Sequence, residues 1–452
     1  MATHAAVRAK PSRRLRGPNP LVAFRYLAAG RLDGAPEFML DIARRYGTVA
    51  RFNVAGTNFY AVAEPELVRE ILVTKARSFV KSRGIERMRP LLGDGLLTSE
   101  EPLHLRQRRL VQPAFHRDRI ANYGQTMVSY ALRTADSWQA GDVVNVVAAM
   151  MRLTLSIAGK TLFDADVEGE ADTIGRALNT TMEIFPLLLQ PFSEWRDKLP
   201  LPSTRRFNAA RETLASTIDA MIASRRREGV DRGDVLSMLI ESRDDDGSRM
   251  DDKQIRDECL TILLAGYETT AVALSWTWYV LSQHPLARQR LGDELHSVLG
   301  ERDATSEDFP RLAYTTAVVK ESMRLYPPAW IVGRRAVDDV AIGDVAIRAG
   351  EVTLMSPFAV HRDPRYYDEP LAFRPERWLV ERELPKFAYF PFGGGNRVCI
   401  GESFAWMEAV LVLATIARRW AMTLEPGTPV ATAPSVTLRP KYPMPMRLSR
   451  VS

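Results

Sequence analysis

The residues in this sequence with the most chemical promise form the run Phe392-Gly393-Gly394-Gly395-Asn396-Arg397-Val398-Cys399-Ile400-Gly401. It sets a cysteine at the end of a glycine-rich loop, directly before a helical pattern over 402–420. A thiol at a helix start meets unpaired N–H groups and a positive partial charge, which favour the thiolate, the form that binds metal. The glycines allow close backbone approach and Arg397 adds a permanent cation. A second group is Ala265-Gly266-Tyr267-Glu268-Thr269-Thr270, in the middle of an apolar run. Gly266 leaves room for a ligand, Thr hydroxyls can bond helix carbonyls and open the helix, and the adjacent acid and alcohol can relay protons. His104 and Arg108 stand four apart, so they share a helical face and could hold a carboxylate. Glu321 and Arg324 stand three apart, a spacing that on an exposed helix is worth little.

These groups need a large fold to bring them together. The chain has 452 residues, 46% hydrophobic and 26% charged, enough for a substantial core and too apolar for disorder. Its two cysteines, Cys259 and Cys399, lie far apart, which excludes a disulfide framework and a zinc cluster and fits a reducing cytoplasm. Cys259 is expected to be a packed, inert thiol. Net charge is +6 and the sequence pI about 9.3. Basic residues are scattered, with no finger, RRM or basic-zipper pattern, so nucleic-acid binding is not expected. Residues 1–20 carry Arg8, Lys10, Arg13, Arg14 and Arg16 and no acid, with no apolar segment behind them, and read as a disordered basic arm.

Along the chain, 36–45 reads as a helix, 48–52 and 59–62 as strands about a turn at Gly56, and 66–74 as a helix. Residues 93–99 read as a loop and 124–228 as mostly helical, with an apolar stretch over 181–199 broken by Pro186 and Pro191. The polar run 229–250, with a turn at Asp244-Asp245-Asp246-Gly247, reads as a surface loop. Asp252–Gln283 is a long helix, apolar nearly throughout 259–281. A membrane span there would bury Glu268 at a cost of about 2.5–3.5 kcal/mol, so the helix is expected at the centre of a soluble core. Val340–Ile342 and Val345–Ile347 read as a hairpin about Gly343-Asp344, with Val352–Met355 extending it, and 436–440 as a strand.

The pattern F-x-x-G-x-R-x-C-x-G of 392–401 resembles the heme-binding signature of the cytochrome P450 family. Further matches follow in the family's order: His104…Arg108, [A/G]-G-x-[D/E]-T-T at 265–270, E-x-x-R at Glu321…Arg324, and Phe373-Arg374-Pro375-Glu376-Arg377-Trp378. The resemblance implies a mainly α fold with a small β-rich lobe, one domain over 21–452. It implies heme b, iron protoporphyrin IX, with Cys399 as the iron ligand and Ala265, Gly266, Phe392 and Gly401 around it. His104, Arg108, Arg334 and Arg397 would hold its propionates, with Arg334 preferred to Arg335 because Arg334-Arg335-Ala336 fits the family's R-x-A. Thr269 would steady oxygen and a water, and Glu268 would supply protons. Glu321, Arg324 and Arg377 would form a structural lock behind the cysteine loop. Leu97, Phe185, Ala329, Trp330, Ile331, Val332 and Ser435 would face the substrate.

The implied reaction is monooxygenation, one oxygen atom of O2 entering a hydrophobic substrate such as a fatty acid, terpenoid or polyketide macrocycle. Electrons would come from a separate ferredoxin or flavodoxin with an NAD(P)H-dependent reductase, docking over Arg106, Arg109, Arg117 and Arg119. A soluble, cytoplasmic, bacterial-type monomer without a membrane anchor is expected. A peroxygenase or a heme-thiolate isomerase of the same fold tends to lose the acid–alcohol pair, and a heme sensor or carrier has no need of one.

Overall fold

The structure, a computed structural model, describes residues 15–27, 32–164, 171–188, 193–196, 199–244 and 247–451. Most of the expected basic arm, Pro191, and part of the Asp244–Gly247 turn lie outside them. The helices that position the site are α1 (Leu103–Val111), α2 (Arg117–Asp136), α3 (Val146–Phe163), α4 (Ala171–Leu188), α5 (Pro202–Glu228), α6 (Asp252–Gln283), α7 (Ala313–Leu325) and α8 (Glu402–Ala417). The strands are β1 (Val49–Val54), β2 (Thr57–Val62), β3 (Phe79–Lys81), β4 (Val332–Ala336), β5 (Val352–Met355), β6 (Thr432–Pro434) and β7 (Leu438–Pro440).

The long helix α6 has the expected bounds. It opens on an Asp251 cap, whose carboxylate accepts the Gln254 N–H at 2.7 Å. It runs through the protein against α3, α5, α7 and α8. Both α3 and α6 are long and apolar enough to cross a membrane, but 67% and 83% of their most apolar windows are buried, against each other and their neighbours. That is the environment a helix apolar all round requires in a large protein core. α8 is of the same kind and is buried from Glu408 to Ile416. Pro186 does not end α4, which continues to Leu188. The helix expected over 402–420 stops at Ala417, and Trp420 begins a strand, Trp420–Leu424, paired with Pro445–Arg450.

The β lobe is a five-stranded sheet of order β1-β2-β5-β4-β3, with β2 and β5 parallel and the other pairs antiparallel. The β1–β2 turn places Ala55 and Gly56 at φ 49° and 85°, the two left-handed positions a two-residue hairpin needs. β5 does not extend the Val340–Ile342/Val345–Ile347 hairpin, which is a separate two-stranded sheet. All four of its residues are buried, and such a strand belongs between neighbours rather than at an edge. The helix expected over 66–74 is two turns, Pro65–Arg69 and a π-helical Glu70–Thr74. The predicted C-terminal strand is shorter, β7, and pairs with β6.

Candidate functional site

The cysteine loop is shaped by what lies beneath it. At Gly395, φ +72°, a Cβ would stand 1.9 Å from the Leu72 carbonyl oxygen, so only glycine fits. The Cys399 N–H donates to Phe392 O at 3.0 Å, and Arg108 Nη1 donates to Val398 O at 2.8 Å. The Cys399 thiol keeps accessible surface although protein surrounds it, so that surface marks a local gap rather than contact with bulk water. Burial pushes the thiol up to about 11, Glu402 adds to the rise, and the Gly401 N–H and Arg108 pull the other way. The expected preference of the helix start for thiolate is therefore outweighed in the protein alone. A metal cation at the sulfur reverses the balance.

The centre of α6 supplies a second accessible strip. Between Asp257 and Trp278 only Ala265, Gly266 and Thr269 are not buried. Ala265 and Thr269 are one turn apart and share a face, with Gly266 beside them. Thr269 Oγ1 donates to Ala265 O at 2.7 Å and Thr270 Oγ1 to Gly266 O at 3.3 Å, while Thr154 Oγ1 from α3 donates to Tyr267 O at 2.8 Å. Three successive carbonyls thus carry side-chain hydroxyls, the loading expected to loosen a helix locally. Glu268 does not share the open strip. It is buried, and its Oε1 accepts from Thr437 Oγ1 at 2.6 Å and from Arg439 Nε at 2.8 Å.

At the edge of the site, cations gather. Lys81 on β3 lies opposite Arg334 on β4. Its ammonium donates to Leu96 O and Ser99 O at 3.1 and 2.8 Å. Arg397 donates to Ser99 O at 3.0 Å and pairs with Glu100. Arg334 is packed around by protein and its Nη1 donates to Gly333 O at 2.9 Å, with no carboxylate partner among the described residues. Burial, then Arg397, pulls it down to about 10. The same causes bring Lys81 down to about 7. His104 is buried, with Nδ1 3.1 Å from Glu101 Oε1, and burial with Arg397 and Lys81 pulls it down to about 4. His104 is thus neutral, and Arg108 reaches the cysteine loop rather than the same carboxylate. Arg335 is turned away, pairing with Glu86 at 2.7 Å. Lys81, Arg334 and Arg397 together outnumber Glu100 and Glu101, an excess of cation suited to a carboxylate-bearing group such as heme, and the free thiol suits its iron.

Behind the loop, Glu321 accepts two bonds from Arg324 at 2.9 Å, one from Arg377 Nε at 2.9 Å, and two more from Trp378 Nε1 and the Arg374 N–H, both at 2.9 Å. Arg324 carries the lock onward to His361 O at 2.8 Å, and His361 Nε2 accepts the Phe390 N–H at 3.0 Å, two residues before Phe392.

Of the expected substrate contacts, Leu97, Ala329, Ile331, Val332 and Ser435 keep partial exposure. Trp330 and Phe185 do not. Trp330 is 2% exposed in the lobe's core, with Nε1 donating to Ser435 O at 3.1 Å, and Phe185 is 5% exposed in the α3–α6 cluster. Both are packing residues because large apolar side chains fill the nearest core. Sequence reasoning missed Lys81, Glu100, Thr437 and Arg439. Thr437 stands just before β7 and Arg439 on it, and both reach Glu268. A cleft of about 570 Å³ along α2 and α3, lined by Tyr130, Trp138 and Arg152, is separate from all of these groups.

A protein-family model described as Cytochrome P450 matches residues 15–445. "Cyclooctatin synthase" of Streptomyces melanosporofaciens is 40% identical over 87% of each chain. "Cyclooctat-9-en-7-ol 5-monooxygenase" of the same organism is 36% identical, over 85% of this chain and 84% of its own length. "Pentalenene oxygenase" of Streptomyces avermitilis is 35% identical over 88% of this chain and 90% of its own. Among solved structures, "Crystal structure of cytochrome P450DA heme domain" superposes with a TM-score of 0.86 at 27% identity, over 97% of this chain and 98% of that one.

Proposed function

This chain belongs to the cytochrome P450 family and is a heme b monooxygenase, and from that premise we propose that it oxidises a cyclic terpenoid with electrons from a separate ferredoxin or flavodoxin. Cys399 would hold the heme iron, and the heme when bound would supply the activation of O2. The chain's own residues do the rest. Lys81 and Arg334 neutralise the heme carboxylates, and Arg397 braces Ser99 and Glu100 beside them. Thr269 presents a hydroxyl whose proton is committed to Ala265 O, leaving its lone pairs to accept a hydrogen bond from the open strip. Glu268 is the acid one residue away.

The observation that carries the reading is that strip, Ala265, Gly266 and Thr269, in an otherwise buried helix. The partly exposed Leu97, Ala329, Ile331 and Val332 are apolar and suit a hydrocarbon skeleton. The names of three relatives, a cyclooctatin synthase, a cyclooctatenol monooxygenase and a pentalenene oxygenase, support the terpenoid class over fatty acids and macrocycles. Arg117 is exposed and available to an acidic electron donor. Arg106 and Arg119 are engaged instead, with Asp244 at 2.6 Å and Gly233 O at 2.5 Å. We place the protein in the cytoplasm as a monomer.

The test is a spectral-shift screen of cyclic terpenes, fatty acids and macrolides on the heme-loaded protein. Turnover with ferredoxin, reductase and NADPH follows. A shift and an oxygen-dependent product with a cyclic terpene are expected. Response to fatty acids alone overturns the substrate class, and turnover with hydrogen peroxide alone overturns the electron donor.

A further inference from the structure

The loop over 93–99, which carries Leu97, is gripped by its main chain. Gly93 and Gly95 let it lie directly on α6: a Cβ at Gly95 would stand 2.2 Å from Thr261 Oγ1, and one at Gly93 2.1 Å from the Asp257 carboxylate. Asp257 accepts the Asp94 N–H at 3.1 Å, Glu258 accepts the Leu96 N–H at 3.0 Å, and Gln107 on α1 donates to Asp94 O at 2.5 Å. Two further grips come from one group, the Lys81 ammonium, which donates to Leu96 O and Ser99 O. The Lys81 N–H donates in turn to Glu100 Oε1 at 2.7 Å. Lys81 is 5% exposed. It meets Arg334 across the β3–β4 pair, Arg397 from the cysteine loop, and Glu100 and Glu101 from the segment before α1. Its charge is felt by His104 on α1 and Glu258 on α6. An uncharged amine has two N–H groups, and here both go to the loop. A charged ammonium has three, so only the charged form keeps Leu96 O and Ser99 O and also bonds a carboxylate. Burial, then Arg397, brings the group down to about 7 in the protein alone. A carboxylate set beside it reverses that balance.

We propose that Lys81 ties loop 93–99 to a heme carboxylate, and that the N–H which makes this second tie is a proton taken from solvent as heme binds. The inference rests on the reading above, in which Lys81 and Arg334 neutralise the heme carboxylates. One N–H bond forms at Nζ, one O–H bond of solvent breaks, and no electrons move. Lys81 is thereby a positioning residue. It links the heme edge to Leu96 and Ser99, and so sets the place of Leu97 between them on the substrate side. Where the heme-free chain holds Lys81 neutral, binding has to add the proton. The advantage Lys81 gives to heme binding is therefore full below about pH 7 and shrinks as pH rises above it.

The test loads the full-length wild type, Lys81→Met and Lys81→Arg with heme at about pH 6 and about pH 8. Heme affinity is read from loading and from loss to a heme scavenger. An indicator dye follows the protons exchanged on loading, and amide hydrogen exchange follows 93–99 before and after. The thermal midpoints of the heme-free proteins report folding. The proton that the Cys399 thiol gives up on meeting iron is common to all three and cancels between them. Wild type is expected to bind heme more tightly than Lys81→Met at the lower pH, and the gap to shrink about tenfold at the higher. There wild type takes up about one proton more than Lys81→Met. Exchange across 93–99 slows on loading in wild type and not in Lys81→Met. Lys81→Arg, charged at both values, binds heme without the extra proton. Equal proton counts in wild type and Lys81→Met at the higher pH overturn the proton uptake, and equal slowing across 93–99 overturns the tie to the loop. If none of the three takes up heme at Cys399, the heme reading itself fails and this inference falls with it.

Discussion

Replacing Glu321 by Gln is expected to lower the thermal midpoint by about 3–5 °C. The carboxylate is fully buried and accepts five hydrogen bonds, three of them from guanidinium groups of Arg324, 0% exposed, and Arg377, 6% exposed. Glutamine keeps one acceptor oxygen but turns an NH2 toward donors and leaves two buried cations without an anion. Breaking a buried pair from one side costs about 3–5 kcal/mol. Unfolding entropy of about 2.1 cal/mol/K per residue, over 452 residues, comes to about 1 kcal/mol/K, which sets the shift. Calorimetry gives the midpoint, and a heme-retention assay should show a parallel loss, because Arg324 and His361 link the lock to Phe390 beside the cysteine loop. Arg335→Met is the control. It removes an ion pair whose side chains are 38% and 36% exposed, worth under about 1 kcal/mol. If Glu321→Gln shifts the midpoint no more than this control, the lock is not holding the loop.

Cys399→Ser should abolish the thiolate-type carbon-monoxide difference spectrum, and persistence of that band would place the iron ligand elsewhere. Thr269→Ala should keep heme bound while product per NADPH falls about tenfold, the electrons appearing as peroxide; unchanged coupling removes Thr269 from the relay. Glu258, buried on α6, accepts the Leu96 N–H at 3.0 Å, and burial pushes it up from 4.5 to about 8. Between those values the folded protein holds a proton that the unfolded chain has released, so this group's contribution to stability falls as pH rises from about 4.5 to 8. Glu258→Gln keeps the Leu96 bond without the titration, so its midpoint should gain on wild type across that range, and parallel pH curves would refute the assignment.

The parts of the fold that were legible in the sequence share one property: short-range pattern decided them. Asp252–Gln283 was legible from a run apolar nearly throughout 259–281, and the Asp251 cap seen in the structure explains where it starts. The β1–β2 hairpin followed from two strand-like runs about a turn at Gly56. The lock triad was legible only through its fixed spacing within a family, since an isolated Glu321–Arg324 pair means little. What stayed hidden depended on long-range register. Lys81 matters because β3 pairs with β4 and sets it opposite Arg334, and nothing within a few residues of Phe79-Val80-Lys81 announces that. Trp330 was assigned to the pocket by its place after two prolines, but the β lobe had a larger apolar space to fill. The thiol form that burial favours at Cys399 in the protein alone was not legible, because helix-end electrostatics can be read from sequence and depth of burial cannot.

The hairpin of β6 and β7 joins Ser435, an expected substrate contact, to the residues that hold Glu268. Its turn carries Ser435, and the next residues carry Thr437 and Arg439, which hold Glu268. The turn is pinned by Trp330 Nε1 on Ser435 O at 3.1 Å. The strand is pinned by Trp276 Nε1 on Leu438 O at 2.7 Å and by the Leu438 N–H on Pro328 O at 2.9 Å. Both tryptophans are nearly fully buried, so the hairpin moves as a unit with the segment 328–332 or not at all. On the proposed reading, in which Ser435 meets the substrate, pressure at Ser435 would strain the bonds to Glu268. Changes made at the turn to alter substrate preference should for this reason carry a coupling penalty, whereas changes at Thr437 should alter coupling and leave the binding spectrum as it was.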